Sequence, residues 1–165
     1  MNKLALATCS FLIFSSCQES PHAKYYKNLT TTKTIVEKIN HYFSDSTSNK
    51  LDISTYYTED FMFHSFPSGT KKGIQTLRTE YINGFDQMKA MNMSLNIGHS
   101  IYLPGIDEQT FEFDGSVRVY YGATICRDTN CVDFSGYQTI NFDNNKVSAI
   151  WEWADYGGVS NSLFQ

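Results

Sequence analysis

The sequence predicts an α+β fold: a curved antiparallel sheet with helices on its concave face, together forming a cone-shaped pocket. Three observations carry that expectation. Apolar residues recur at helical spacing in the first third of the chain and again after Gly73. From Met91 onward the pattern alternates residue by residue, with turn formers between the runs. Helices that precede four consecutive strands can pack together on one face of the sheet.

The chain opens on a segment that reads as an address. MNK is a short basic start, LALATCSFLIF is apolar, and SSC follows directly. That is the pattern of a secretory signal peptide, too short to cross a bilayer as a helix. Ser15, Ser16 and Cys17 resemble a bacterial lipobox, in which Cys17 becomes the lipidated first residue; Phe14 stands where leucine is usual. Residues 1–16 are therefore expected as a lipoprotein signal peptide, 17–29 as a polar tether containing proline (QESPHAKYYKNL), and 30–165 as one domain. The implied location is the cell envelope of a bacterium, with the membrane partner reached through lipid on Cys17.

Composition narrows the partners. The chain carries 13 basic and 17 acidic residues, a formal net charge of −4, and loss of residues 1–16 removes Lys3 but no acid. No Lys/Arg cluster is present to follow a phosphate backbone, so nucleic acid is not an expected partner. Aromatic residues make up 15% of the chain, which suits a packed core or a lined pocket equally.

Each element follows from its own pattern. Over residues 31–44, Ile35, Val36, Ile39, Tyr42 and Phe43 recur at helical spacing behind a Thr-rich start able to cap. SDSTSNK breaks that helix. LDISTYY reads as a second, short helix, and FMFHSF as a strand ending at Pro67-Ser68-Gly69. Gly73 is expected to open a longer helix with Ile74, Leu77, Tyr81, Phe85 and Met88 as one stripe. Residues 92–103 alternate, with Met93, Leu95, Ile97, His99, Ile101 and Leu103 on one face. Pro104-Gly105 turns the chain, and residues 111–125, 132–142 and 147–156 follow as three more strands. Asp143-Asn144-Asn145-Lys146 makes the last tight turn. In the final strand Val147, Ala149, Trp151, Trp153 and Asp155 share a face, so an apolar run ends in a carboxylate.

Cys126 and Cys131 flank Arg-Asp-Thr-Asn, a set of turn formers between two strand-like runs. They face each other across a hairpin, and an oxidising envelope allows a disulfide there, worth about 2 kcal/mol for so short a loop. The spacing fits neither a zinc site nor a thioredoxin-type redox pair. No phosphate-cradling loop, metal-ligand set or nucleophile elbow stands out, so neither metal nor cofactor is expected.

Taken in order, TYYTEDFMFHSFPSG, KKGIQTLRTEY and FDNNKVSAIWEWADYGG resemble the nuclear-transport-factor-2-like superfamily, and within it the SnoaL-like branch. The resemblance runs from about Thr31 to Asp155. It implies a concave sheet face closed by helices around an apolar pocket. It also implies an acid/base role for Asp155, which resembles the Asp of the polyketide-cyclase members, eight places after Val147. Beside indoles, such a carboxylate loses hydration and becomes a better proton carrier near neutral pH. His64 matches the histidine often found on the family's first strand and is the second catalytic candidate. Trp151, Trp153 and His99 are expected to line the pocket, with Tyr56, Tyr57 and Tyr121 offering hydroxyls to a ligand. Phe66 stands where ketosteroid isomerase has its basic Asp, so steroid isomerisation is not implied. Gly157-Gly158 and a polar end replace the helical tail common in the family.

Three functions remain open on these grounds. The first is an envelope-anchored pocket for a small apolar molecule, without turnover. A cofactor-independent isomerase, cyclase or hydro-lyase using His64 or Asp155 as general base is the second. The third is a partner-binding module that forms a homodimer through its open sheet face.

Overall fold

A computed structural model describes residues 20–164. The expected signal peptide, the lipidated Cys17 and the first residues of the expected tether lie outside that range. Within it the order is α1 (Pro21–Ser44), a 3-10 turn (Ser54–Tyr56), β1 (Tyr57–Ser65), β2 (Ile74–Leu77), α2 (Arg78–Ala90), β3 (Met93–Ile106), β4 (Phe113–Arg127), β5 (Asn130–Asp143), β6 (Lys146–Ala154) and α3 (Tyr156–Leu163). The α+β expectation holds.

The first helix starts at Pro21, well before Thr31. Ser20 is its N-cap, accepting from the Ala23 amide at 3.2 Å, and Pro21 occupies the first turn, where its missing N–H costs nothing. Tyr25, Asn28, Thr32, Ile35, Ile39 and Tyr42 form one buried stripe. Residues 21–29 are therefore a docked part of the domain and not a tether. His22 and Tyr25 pack on the Phe113 ring, with centroids 4.4 and 5.7 Å away, and the buried Asn28 amide donates to the Gly115 carbonyl at 2.8 Å. Polar composition hid this because the polar side chains occupy the outer face, and Asn28 has a backbone acceptor inside.

The six strands form one sheet in the order β2-β1-β6-β5-β4-β3. All pairings are antiparallel except β1 with β6, which run parallel and place the first long strand beside the last. Gly73 opens β2, a four-residue edge strand, instead of a helix, and α2 begins only at Arg78. At Gly73 φ is +73°, and a Cβ would lie 2.9 Å from both the Phe66 ring and the Ser65 carbonyl, so only glycine fits. Ile74 and Leu77 are exposed, while Tyr81, Phe85 and Met88 keep their helical spacing. The chain's end is helical too: α3 forms despite two glycines because Val159 and Leu163 pack against Met93 and Ile125.

Register shifts interrupt the sheet at four places, and at two of them the shift is a single extra residue. Ile97 pairs with Ala123 and Ser100 with Tyr121, so β3 holds one residue more than β4 between those points. Asn141 pairs with Ala149 but Phe142 with Val147, which leaves Ser148 of β6 unmatched. Each extra residue is a β-bulge, and each exchanges the inward and outward faces of the strand beyond it. The core lies between α1 and the concave face, where Ile53, Tyr57, Phe61, Val117 and Val147 are essentially inaccessible to solvent.

Asp128 and Thr129 turn β4 into β5, with Asp128 at φ +54°. Cys126 is directly opposite Cys131, and a disulfide joins them across Cα atoms 4.0 Å apart. Replacing both cysteines by serine is expected to lower the unfolding free energy by about 2 kcal/mol, read from the urea midpoint at unchanged slope. An unchanged midpoint would mean that the bridge contributes nothing.

Candidate functional site

The concave face and the three helices enclose a cavity of about 560 Å³. Its wall is mostly apolar, with Ile35 and Ile39 from α1, Phe85 and Met88 from α2, Leu95 and Ile97 from β3, and Ile140 from β5. Such a volume suits a small organic molecule. Exposed Met91, Asp155 and Phe164 also line it and mark where it meets solvent.

One polar cluster interrupts this wall. Glu152 of β6 is 9% exposed. Its Oε2 accepts from the Tyr121 hydroxyl at 2.9 Å and from the Gln138 amide, and its Oε1 accepts from the Tyr156 hydroxyl at 2.5 Å. All four residues line the cavity. Burial, reinforced by the Glu152 charge and by the hydrogen bonds to it, pushes Tyr121 and Tyr156 well above the ordinary phenol range. Both therefore remain neutral donors. Burial also raises Tyr81, with smaller contributions from Tyr57 and Glu152. The cluster is a carboxylate held by neutral donors, able to accept a further proton or hydrogen bond from inside the cavity.

The backbone makes room for this arrangement at one glycine. Gly136 is the cross-strand partner of Tyr121, and a Cβ there would lie 2.5 Å from the Tyr121 hydroxyl. With no side chain at that position, the phenol can lie across β5 and reach Glu152 on the strand beyond.

The face expected to line the pocket is the opposite one. Beyond the unmatched Ser148, the inward set of β6 is Ile150, Glu152 and Ala154. Trp151 and Trp153 point to the convex side. Trp151 stacks on His64 with centroids 4.9 Å apart, and Trp153 on Phe66 at 4.6 Å. His64 is thus also turned away from the cavity. The bulge in β3 does the same to His99, which is exposed, while Ser100 and Tyr102 take the inward places. Asp155 does reach the rim, but its Oδ1 caps α3 by accepting from the Gly158 amide at 2.8 Å. Tyr57 belongs to the cavity wall, although its buried hydroxyl has no hydrogen-bond partner among the described residues. Tyr56 lies outside it, near the Lys38 ammonium. Of the residues expected at the site, Tyr121 joins the polar cluster, and Tyr57 and Asp155 line the same cavity. Glu152, Gln138 and Tyr156 were not anticipated. The signal for Glu152 and Tyr156 was the series Ile150, Glu152, Ala154 and Tyr156, one step out of phase with the tryptophans; Gln138, on β5, had no such signal.

Among the described residues, no three His, Cys, Asp or Glu side chains are grouped as a metal ion would require.

No family model and no curated protein matches the chain. Solved structures do. An NTF2-like protein from Burkholderia xenovorans LB400 aligns at 12% identity over 84% of this chain and 97% of its own, with a TM-score of 0.58. A phenazine biosynthesis-related protein from Pseudomonas aeruginosa aligns at 9% identity over 87% and 91%, with a TM-score of 0.61. An LEH-like epoxide hydrolase from M. tuberculosis aligns at 8% over 85% and 91%, with a TM-score of 0.56. The domain thus has the nuclear-transport-factor-2-like cone fold. At these identities the likeness is one of fold alone, and the chemistry has to be read from this cavity.

Gly136→Ala should push the Tyr121 hydroxyl off Glu152 and lower stability by about 1–3 kcal/mol, the usual range for overpacking. Thermal unfolding and near-UV circular dichroism would read it, and an unchanged tyrosine signal with an unchanged midpoint would refute the packing described.

Proposed function

We propose that this domain binds a small, largely apolar molecule in its cavity, with the Glu152 cluster as the polar end of the site. The supporting observation is one buried carboxylate, ringed by neutral donors, in the wall of a mostly apolar chamber. A cavity that served packing alone would be stabilised by apolar residues there, since a buried carboxylate carries a desolvation cost. Turnover by proton transfer is the enzymatic version of this reading. On this geometry Glu152 would be the base, with Tyr121 or Tyr156 as the hydroxyl that stabilises developing negative charge. We propose further that lipid on Cys17 holds the domain at the bacterial envelope, as its leader pattern suggests.

Native and intact-mass spectrometry of the purified protein tests these points together. The expected result is a retained small molecule in the wild type, its loss in the cavity-filling variant Ile97→Phe, and a lipid mass that disappears in Cys17→Ser. A bare chain in every sample, with no ligand regained from a cell extract, would count against the pocket reading.

A homodimer through the sheet is the second reading, and a specific surface favours it. Ile101, Leu103, Tyr120 and Trp153 are each 44–52% exposed on the convex face. Such a patch is larger than isolated surface apolar residues require. Sedimentation should show a dimer that Trp153→Lys dissociates; a monomer at high concentration in the unaltered protein would exclude it.

A further inference from the structure

The charge of the cavity wall points to the class of ligand, given the reading of that cavity as a binding site. Among the described residues, two acidic side chains line the cavity, Glu152 in its wall and Asp155 at its rim, and no Lys, Arg or His does. The one ion pair among the described residues, Arg78 with Glu59, is on the outside, so the buried Glu152 has hydrogen-bond donors but no counter-charge. Its acceptor positions are also incompletely filled. A carboxylate offers about four lone-pair directions; Oε2 uses two, on Tyr121 and Gln138, and Oε1 uses one, on Tyr156. The unused direction belongs to a residue that keeps some accessibility and lines the chamber.

We propose that the molecule taken up is an amine: an apolar body carrying one protonated nitrogen, which donates to Glu152 Oε1 and supplies the missing positive charge. The apolar wall takes the body. Asp155 at the rim adds a second negative charge, while the Arg127 guanidinium stacks on Phe164 at the mouth and the Lys33 ammonium is over Tyr102, so selection for a cation falls to Glu152 inside the chamber. Carboxylates, phosphates and sulfates of similar size are disfavoured next to the Glu152 charge. A neutral alcohol can fill the hydrogen bond but leaves Glu152 without a counter-ion, and a charge-assisted bond is about twice as strong as a neutral one.

The test is a calorimetric titration of the purified full chain with three probes of matched shape: phenylpropylamine, phenylpropanol and phenylpropionate. The amine should bind more tightly than the alcohol by about tenfold or more, as expected for a hydrogen bond to a charged group, and the carboxylate should not bind. Glu152→Gln should bring the amine to the level of the alcohol. The ranking of the probes on the unaltered protein holds whether or not that variant folds. Amine and alcohol binding equally, with both lost in Ile97→Phe, would overturn the amine proposal and leave the ligand site standing. Binding of the carboxylate alone would overturn it as well. No binding of any probe would overturn both the amine proposal and the pocket reading.

Discussion

A single unmatched residue in the last strand decides what this cavity contains. Side chains of a strand alternate between faces, so one extra residue inverts every position beyond it. Ser148 is that residue in β6. With it, Ile150, Glu152 and Ala154 face the helices, and the two tryptophans face away. Without it, the chamber would be lined by indoles and the carboxylate would be on the outside. The position of Glu152 then sets the roles of Tyr121, Gln138 and Tyr156, whose polar atoms converge on it from β4, β5 and α3.

The first helix is tied to the sheet beside one of its bulges. Asn40 of α1 bonds both polar groups of the Ile97 backbone, donating to the carbonyl and accepting from the amide, each at 2.8 Å. Ile97 is the residue at which β3 goes out of step with β4, so the side chain occupies hydrogen-bonding positions next to the bulge. The helices are tied to each other by Asp86 of α2, which accepts from the Tyr42 hydroxyl of α1 at 2.7 Å and from the Leu51 amide at 3.1 Å. Burial, and then the bond to Asp86, raise Tyr42 to about 12, so this tie is insensitive to pH across the physiological range. These polar ties supplement the apolar core that joins α1 to the concave face through Ile35, Ile39, Val117 and Val147.

Much of the fold was legible in the sequence, and the site much less so. Helical spacing in α1 and the long alternating runs marked the elements that periodicity can mark, and the paired cysteines around Asp128-Thr129 marked their hairpin. Periodicity could not show β2, which is four residues long with two exposed apolar side chains. The start of α1 was signalled by Ser20-Pro21, a capping pair that polar composition obscured. The faces of β3 and β6 were misread because a bulge leaves no compositional mark. Both strands alternate correctly on either side of the extra residue, and only their pairing partners reveal the change of phase. The candidate site depends on that phase, so His99, Trp151 and Trp153 are expected in the cavity where Glu152 is found, while the expectation for His64 of β1 comes from the family resemblance and not from strand phase.

The two tryptophans have a spectroscopic consequence. They are the only ones in the chain, and both are stacked on aromatic partners on the outer surface of the sheet. Intrinsic tryptophan emission will therefore follow solvent, neighbours and quenchers at the convex face, while the chamber behind the sheet is surrounded by tyrosines that emit weakly. A small molecule entering the chamber can leave the emission spectrum unchanged. A second protein settling on the convex face would shift it without any change inside.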